Sequence, residues 1–546
     1  MNKNYGNLEI NYIFEKIKQY CKTDTARFLY DNIVSFKKQE DVNKELDLTD
    51  EVLRLVYKYS VFPFKEDFDI LQIISRLEIK SVLSVSEIFN LRLFFIMEQD
   101  IIRYFGNAKK SESKYENLDN EYMSKIMSHS KLLREIDDIL DPEGQIYDNA
   151  STELKKIRKD KLLVSKEITT TLNSLLLKHS SKLSEPIITS KNGRYTLPVI
   201  TSEKNKISGI VHEVSSSKQT SYIEPDEIRI LSNKLESLNH LEEAEIIVII
   251  SILSNKMFDY YETIKSNYDI FIRLDYLHAK ALFAKEFDCV RQKVNTNKYL
   301  KIINGRHPLI DKNKVVPISL ILDNQKRTLL VTGPNTGGKT ALLKLVGLFA
   351  LLTMYAVPLP ANEGTNINLY NEVYCDIGDN QSISESLSTF SGHLTNIIRI
   401  INGLNSNSLI LLDELGGGTD PVEGQALAIA IINYIKQFKP HLIVTTHYLE
   451  LKTFAYSSND IEVASVAFDA DTLQPLYYLN MGIGGASNAI LIAKRLGLNS
   501  EIIKNASSNK NENASETKIL LDRLNDEKVA LLKEKANLDK ILNDNI

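Results

Sequence analysis

The first 150 residues alternate apolar and charged positions at the spacing of an α-helix. Clear examples are the stretches 8–17 and 74–105, and glycine is nearly absent there. This pattern predicts an N-terminal helical core domain over residues 1–150. Within it, Phe64, Lys65 and Glu66 spell the Phe-x-Glu triplet of mismatch-reading proteins. Its position after Pro63, between two helical stretches, argues against that role.

From residue 151 the pattern changes to a long charged helix, with a narrow apolar stripe, that ends near residue 181. A second long helical stretch runs from Asp226 to about Ser266. Between the two helices lie strand-like segments at 186–189, 194–199, 209–214 and 221–224, with an Asn-Gly turn after the first. We therefore expect lever helices over residues 151–300, with a small antiparallel β clamp at about 186–224.

Residues 301–506 alternate apolar strands with helices, which is typical of an α/β domain. The segment 333–340, here called the phosphate loop, fits the pattern GxxxxGK[ST] and lies between a strand-like run and a helical run. Its backbone N–H groups, the helix N-terminus and a lysine suit the phosphates of a nucleoside triphosphate, and its final hydroxyl suits Mg²⁺. The predicted nucleotide-binding residues are Gly333, Pro334, Asn335, Thr336, Gly337, Gly338, Lys339 and Thr340.

Two carboxylates, Asp413 and Glu414, follow the apolar strand 408–412. We expect this strand to lie beside the strand of the phosphate loop in a parallel sheet. Asp413 would then join Thr340 in holding Mg²⁺, and Glu414 would align the attacking water. A third apolar strand, 441–446, is expected to bring His447 to the same edge, where it can sense the γ-phosphate.

A hydroxyl-rich turn at 384–393 opens another helix. Its backbone N–H groups and hydroxyls suit an anion, yet the phosphate loop already supplies such groups for the nucleotide of its own chain. We therefore expect Ser388, Thr389 and Ser391 to act in trans, on nucleotide held by a second subunit. An ordinary helix N-cap would also explain these serines.

Charge is uneven along a chain whose formal net charge is -5. Residues 151–220 carry 13 Lys or Arg against 6 Asp or Glu. Lys191, Arg194, Lys204 and Lys206 lie at or near the clamp and are predicted to contact nucleic-acid phosphates, with plain solvation as the alternative. Three widely spaced cysteines and no membrane-spanning pattern indicate a cytoplasmic protein.

The sequences GPNTGGKT, LSTFSGHL, LLDELGGGTDP and TTHYLEL, in this order, resemble the MutS family of ABC-class ATPases. The resemblance is strongest to the second bacterial MutS branch and extends to PIITSKNGRYTLPV, RHPLI and GASNAILIAKRLGL. It implies an Mg²⁺-dependent ATPase that acts as a homodimer with paired levers and a clamp. It assigns Lys339 and Thr340 to phosphate and magnesium, Asp413 to magnesium and Glu414 to the water, while Ser388 would meet the partner's nucleotide.

The resemblance also implies a role in DNA repair or suppression of recombination, through branched or mismatched DNA. Some members are similar in role to factors that split collided ribosomes, so a ribosome remains an alternative partner. A chromosome-organising ATPase of the SMC kind is excluded, because only 73 residues separate Lys339 from Asp413 and leave no room for long arms.

Residues 507–546 read as a polar linker followed by the start of a coiled coil. Family members usually continue into a small Smr nuclease domain. The LDLRG-type strand and the HGxG loop of that domain do not occur in this sequence, so we expect no DNA cleavage by that route.

Overall fold

The computed structural model describes residues 3–65, 68–110, 115–333, 338–378, 389–468, 475–484, 493–494, 497–512 and 527. The chain packs into two compact units. The first unit contains Met1–Phe62, Ala108–Ser124 and Ile272–Ile546, and the second contains Pro63–Asn107 and Lys125–Phe271. The domain boundaries that the sequence predicts, near residues 150, 300 and 506, stay a prediction.

The α-helices are numbered in chain order. They are α1 (Ile10–Lys18), α2 (Asp24–Asp31), α3 (Gln39–Tyr59), α4 (Leu71–Glu78), α5 (Val85–Lys110), α6 (Glu116–Glu121), α7 (Ser130–Asp137), α8 (Thr152–Lys178), α9 (Asp226–Phe258), α10 (Tyr261–Glu286), α11 (Lys339–Met354), α12 (Thr389–Asn402), α13 (Pro421–Gln437), α14 (Leu449–Tyr456) and α15 (Ser500–Glu512). Among the residues that the structure describes, every helix is too short or too polar to cross a membrane.

The strands are numbered in the same way. They are β1 (Thr189–Lys191), β2 (Arg194–Ile200), β3 (Gly209–Val214), β4 (Thr220–Pro225), β5 (Lys293–Asn295), β6 (Leu300–Gly305), β7 (Ile318–Leu322), β8 (Thr328–Thr332), β9 (Asn366–Asn368), β10 (Glu372–Asp376), β11 (Ser408–Leu412), β12 (His441–Thr445), β13 (Ile461–Phe468) and β14 (Pro475–Met481).

The second unit contains the predicted clamp as a four-stranded sheet with the order β1-β2-β4-β3, and all its pairings are antiparallel. Helices α8 and α9 run side by side in opposite directions. Two hydrogen bonds show this orientation, since Ser151 Oγ donates to Glu245 and Arg158 Nε donates to Glu242. Apolar residues of α8 and of the sheet form one buried cluster, which includes Ile168, Leu197 and Ile223. The two long helices and the small antiparallel sheet are therefore present, and their roles as levers and clamp stay a prediction.

The end of the second lever helix differs from the expectation. The sequence predicts a helix that continues to about Ser266, but α9 ends at Phe258 and α10 begins at Tyr261. The N–H of Tyr260 donates to the carbonyl of Met257, three residues back, and this tight turn closes α9. The sequence has no Gly or Pro at this point, so it gives no sign of the break.

The first unit is built around a six-stranded sheet with the order β10-β11-β12-β8-β13-β14. Its strands are parallel except for the β13–β14 pair. The expectation that β11 lies beside β8 is wrong, because β12 pairs with both and separates them. A separate four-stranded sheet has the order β5-β9-β6-β7.

Helix α11 is buried along most of its length, which explains its nearly continuous apolar sequence. A Cβ on Gly347 would lie 2.6 Å from Leu8 Cδ2 and 2.7 Å from Leu411 Cδ1, so the helix packs tightly between the N-terminal segment and the sheet. The other face of the sheet is covered by apolar residues of α12, α13 and α14, such as Ile400, Ile432 and Leu451.

The C-terminal end of α11 is held by a buried lysine. Lys280 Nζ, on α10, donates to the carbonyls of Tyr355 and Ala356 and pairs with Glu45 at 2.9 Å. Burial alone would raise the pKa of Glu45, but Lys280 and Arg273 outweigh it and lower that pKa. The positive charge at the end of α11 also complements the helix dipole.

The region after residue 500 differs in part from the polar linker that the sequence predicts. Helix α15 continues to Glu512, so the first part of that segment is helical. The predicted coiled coil lies almost entirely outside the described residues.

Candidate nucleotide-binding site

Lys339 and Thr340 are the last two residues of the phosphate loop, and they begin helix α11. Gly338 caps the helix with φ 90°, a conformation that glycine adopts without strain. Lys339 is 1% exposed, and its Nζ donates to the carbonyl of Gly333 across 3.1 Å. Burial lowers the pKa of Lys339, and the nearby Glu414 and Asp413 partly oppose that shift. Residues 334–337 of the loop lie outside the described residues.

Asp413 lies at the carboxyl end of β11, within reach of the first turn of α11. Thr340 Oγ1 donates to Asp413 Oδ2 across 2.6 Å. The other carboxylate oxygen, Oδ1, accepts from the hydroxyl of Thr445 at the end of β12. The intervening strand β12 therefore supplies a residue that bridges the two predicted motifs. A hydroxyl and a carboxylate this close are hard oxygen ligands of the kind that Mg²⁺ prefers.

Glu414 follows in a left-handed conformation, with φ 47°. Its N–H donates to Thr445 Oγ1 across 2.8 Å, and its carbonyl accepts from the N–H of Gly417 at 2.9 Å. A Cβ on Gly424 would lie 2.3 Å from the carbonyl oxygen of Gly416, so the loop after Glu414 packs directly on α13. The surrounding backbone thus imposes the unusual conformation of Glu414.

His447 follows β12 at the same edge of the sheet. The N–H of Thr446 donates to the carbonyl of Val331, which ties this segment to β8. The side chain of His447 is exposed, and its ring lies against Tyr448 with centroids 4.4 Å apart. A role in sensing the γ-phosphate stays a prediction.

Thr389 and Ser391, two of the three predicted trans-acting residues, lie in the first turn of α12. Ser388 is outside the described residues, and α12 begins at Thr389. The carbonyl of Ser391 accepts from Thr395 Oγ1 within the helix. One turn later, His393 Nδ1 lies 2.8 Å from Oδ2 of Asp376, the last residue of β10.

Sequence reasoning missed Thr445 and Asp376. Each is a single polar residue at the end of a buried strand, and the strand pattern alone gives it no special weight. The signal that could have found them is their position, because the carboxyl ends of parallel strands meet at one edge.

A cavity of about 330 Å³ adjoins the start of α11. It is lined by Gly338, Ala341, Leu345, Tyr477 and His307, together with Ile310, Lys314, Val315, Val316 and Ile318. A Cβ on Gly338 would lie 2.8 Å from Tyr477 Cδ1, so the aromatic ring lies directly over the start of the helix. The volume is within the range of small-molecule sites, about 300–1,000 Å³.

The basic residues of the clamp have unequal surroundings. Lys191 pairs with Glu213 at 2.8 Å and lies 4.4 Å from the ring centroid of Tyr222. Arg194 Nη1 donates to Asn233 Oδ1 and Nη2 to Glu236 Oε2. Lys204 and Lys206 are exposed, and Lys206 has a local ion pair with Glu203. Of the four basic residues, Lys204 and Lys206 present their charge to solvent most directly.

The residues of this site lie in a region that is similar to a known family domain. The profile of MutS domain V matches residues 329–513, which contain the phosphate loop, the acidic pair Asp413 and Glu414, and α12. The chain is 39% identical over 506 residues to "Endonuclease MutS2" of Finegoldia magna, which covers 92% of this chain and 64% of that protein. It is 39% identical over 526 residues to "Endonuclease MutS2" of Clostridium kluyveri, covering 96% of this chain and 66% of that protein.

The chain thus belongs to the MutS family of proteins. Within that family it matches the MutS2 branch, with "Endonuclease MutS2" of Caldanaerobacter subterraneus subsp. tengcongensis also 39% identical over 506 residues. The chain spans 64% to 66% of the length of these relatives.

Proposed function

We propose that this chain is an Mg²⁺-dependent ATPase. The observation that carries the proposal is the 2.6 Å hydrogen bond between Thr340 and Asp413, with the buried Lys339 one residue before Thr340. These groups are far apart in sequence and meet at the carboxyl edge of a parallel sheet, where ligands bind in open α/β folds. Lys339 neutralises the outer phosphates, and its buried charge is stabilised by them.

The residues present fit Mg²⁺, because Thr340 and Asp413 offer a hydroxyl and a carboxylate at one point. When bound, the ion neutralises negative charge on the phosphates. Glu414 accepts a hydrogen bond from the attacking water and orients it toward the γ-phosphate. Thr445 holds the backbone of Glu414 and the carboxylate of Asp413, so it positions both acids.

The 330 Å³ cavity suits the nucleoside part of ATP. Tyr477 offers a ring on which an adenine base can stack, and Val315 and Val316 offer an apolar surface. The cavity adjoins the first turn of α11, so a nucleoside there would direct its phosphates toward Lys339 and Thr340.

We further propose that the chain acts as a homodimer. Thr389 and Ser391 lie in the first turn of α12, at the edge of the nucleotide site, and Ser388 directly precedes them in the sequence. In a dimer, they would contact the γ-phosphate held by the second copy. ATP binding would then draw two copies together, and hydrolysis would release them.

The second unit supports a role in gripping nucleic acid. Its paired helices carry a small sheet with exposed lysines at 204 and 206. Flexible, solvated cations of this kind bind phosphate backbones without reading sequence. We propose branched or mismatched DNA as the ligand and repair or suppression of recombination as the role. ATP hydrolysis is the activity that the described residues support.

The ATPase proposal is tested by phosphate release from the purified chain, with and without Mg²⁺. Lys339→Ala is expected to abolish it, and unchanged activity in that variant would refute the proposal. The ligand is tested with the Glu414→Gln variant trapped with ATP. Capture of four-way junction DNA supports the DNA role, whereas capture of ribosomal particles alone would replace it with a ribosomal one.

A further inference from the structure

Asp376 connects helix α12 to the end of strand β10. Its carboxylate is buried, and two residues of α12 bind it: His393 through Nδ1 at 2.8 Å and Asn396 through Nδ2 at 2.9 Å. A carboxylate only accepts, so Nδ1 of His393 donates. His393 and Asn396 are three residues apart and share one face of the helix. Asn396 Nδ2 also donates to the carbonyl of Cys375.

The backbone of Asp376 holds the acid of the nucleotide site. The N–H of Asp413 donates to the carbonyl of Asp376 across 2.9 Å, and the carboxylate of Asp413 accepts from Thr340. Three hydrogen bonds therefore lead from Thr340, through Asp413 and Asp376, to His393. The link between Asp376 and Asp413 is a backbone hydrogen bond at the end of the β10–β11 pairing, so it does not depend on the side chain of His393.

His393 also borders the acidic pair directly. A small cavity, about 20 Å³, is lined by His393 and Phe390 on α12 and by Asp376, Asp413 and Glu414 on the sheet edge. The first turn of α12 thus lies against the nucleotide site, and space remains between them. Such a small space leaves the first turn of α12 close to the acidic pair, and the hydrogen bonds of His393 and Asn396 to Asp376 hold it there.

We infer that His393 is a positioning residue for the nucleotide site of the second copy. This inference rests on the proposed ATPase function and on the proposed homodimer. By donating to Asp376, His393 fixes the direction of the first turn of α12, which carries Ser391. The turn then meets nucleotide on the facing copy, while the nucleotide of its own copy is held by Lys339 and Thr340.

Replacing His393 should therefore lower turnover without weakening nucleotide binding by the same copy. His393→Ala is expected to lower kcat at least about tenfold, because small misplacements of catalytic groups cost that much or more. His393→Asn places an amide donor near the position of Nδ1 and should retain most activity. His393→Gln places its amide nearer to Nε2 and should behave like alanine. A residue that acts only on folding would not separate the two amides in this order.

Mixed dimers, purified through two different tags, test whether His393 acts across the interface. In the first mixture, one chain carries Lys339→Ala and the other carries His393→Ala. The only chain that retains Lys339 is then the His393→Ala chain, and its phosphate loop faces the unaltered α12 of the other chain. The ATPase activity should therefore match that of a Lys339→Ala chain paired with wild type. In the second mixture, one chain carries both substitutions and its partner is wild type. The only phosphate loop that retains Lys339 is now that of the wild-type chain, and it faces the α12 that lacks His393. The ATPase activity should be at least about tenfold lower than in the first mixture.

Equal activity in the two mixtures would overturn the inference while leaving the ATPase intact. Absence of Mg²⁺-dependent hydrolysis in the wild-type dimer would instead refute the proposed function on which it rests. If His393→Ala does not fold, the same two mixtures are made with His393→Gln and compared with His393→Asn.

Discussion

The backbone N–H of Glu414 donates a 2.8 Å hydrogen bond to Oγ1 of Thr445. The hydroxyl of Thr445 in turn donates to the carboxylate of Asp413. One threonine at the end of β12 therefore fixes two successive acids, and it holds Glu414 at φ 47°. Strained conformations of this kind persist where the surrounding contacts enforce them, and they concentrate at functional sites.

Glu414→Gln should slow ATP turnover by a factor of about 100 or more, because the amide cannot accept the water proton as a carboxylate does. Nucleotide binding should persist, since Lys339 and Thr340 are unchanged. Phosphate release measures turnover, and a fluorescent ATP analogue measures binding.

The matched control is Glu423→Gln, which removes the same charge from an exposed residue of α13. It should leave both readouts near those of the wild type. Normal turnover in Glu414→Gln would remove Glu414 from the proposed role.

The clamp offers two matched double variants, each removing two positive charges. Lys204→Ala with Lys206→Ala should weaken binding to a four-way junction and reduce the salt slope by about 2, since each lost phosphate contact contributes about 0.9. Thermal stability should change little, because both residues are exposed. Fluorescence anisotropy at several salt concentrations gives the slope.

In the second variant, Lys191→Ala with Arg194→Ala, the main expected loss is stability. Lys191 pairs with Glu213, and Arg194 joins the sheet to α9 through Asn233 and Glu236. If the first variant binds the junction as the wild type does, the segment around Lys204 is not a nucleic-acid contact.

Acid should destabilise the first unit through buried histidines. His278 is 2% exposed, its ring stacks on Phe62, and its Nε2 accepts from the N–H of Phe62 at 3.3 Å. Burial lowers the pKa of His278 to about 3, whereas an unfolded histidine titrates near 6.5. Between these values the unfolded state binds a proton that the folded state does not, so the free energy of unfolding falls as pH falls.

The expected slope is about 1.4 kcal/mol per pH unit for each such histidine. Burial also lowers the pKa of His441 to about 3, so the wild type should lose stability from both residues. His278→Gln keeps an acceptor near Nε2 but does not titrate. It should therefore lower the slope of the free energy of unfolding against pH by the contribution of one histidine. Urea unfolding at pH values between 4.5 and 7 gives the slopes. Parallel slopes for the two proteins would show that His278 does not titrate in this way.

The sequence predicted those features that are local in the chain. The β clamp follows from short alternating strands with turn residues between them, and α11 follows from a long apolar run after the phosphate loop. The first lever helix follows from its charged face and narrow apolar stripe. Each of these patterns is read from residues that are close together in the chain.

Features that depend on distant segments were not predicted. Strands β8, β11 and β12 are all fully buried apolar runs, so their sequences do not specify which pairs are adjacent. The roles of Thr445 and Asp376 arise only when the ends of separate strands meet. The break after Phe258 has no Gly or Pro to mark it.

The central claim is that the nucleotide site of one copy is completed by residues of a second copy. The most direct test is the mass of the Glu414→Gln variant, measured by light scattering after gel filtration, with ATP and Mg²⁺ and without them. We predict a dimer with ATP and Mg²⁺ that is lost when Lys339→Ala is added, because that variant lacks the cation that holds the phosphates. A chain that stays monomeric in every nucleotide state, while the wild type hydrolyses ATP at its full rate, would contradict the account.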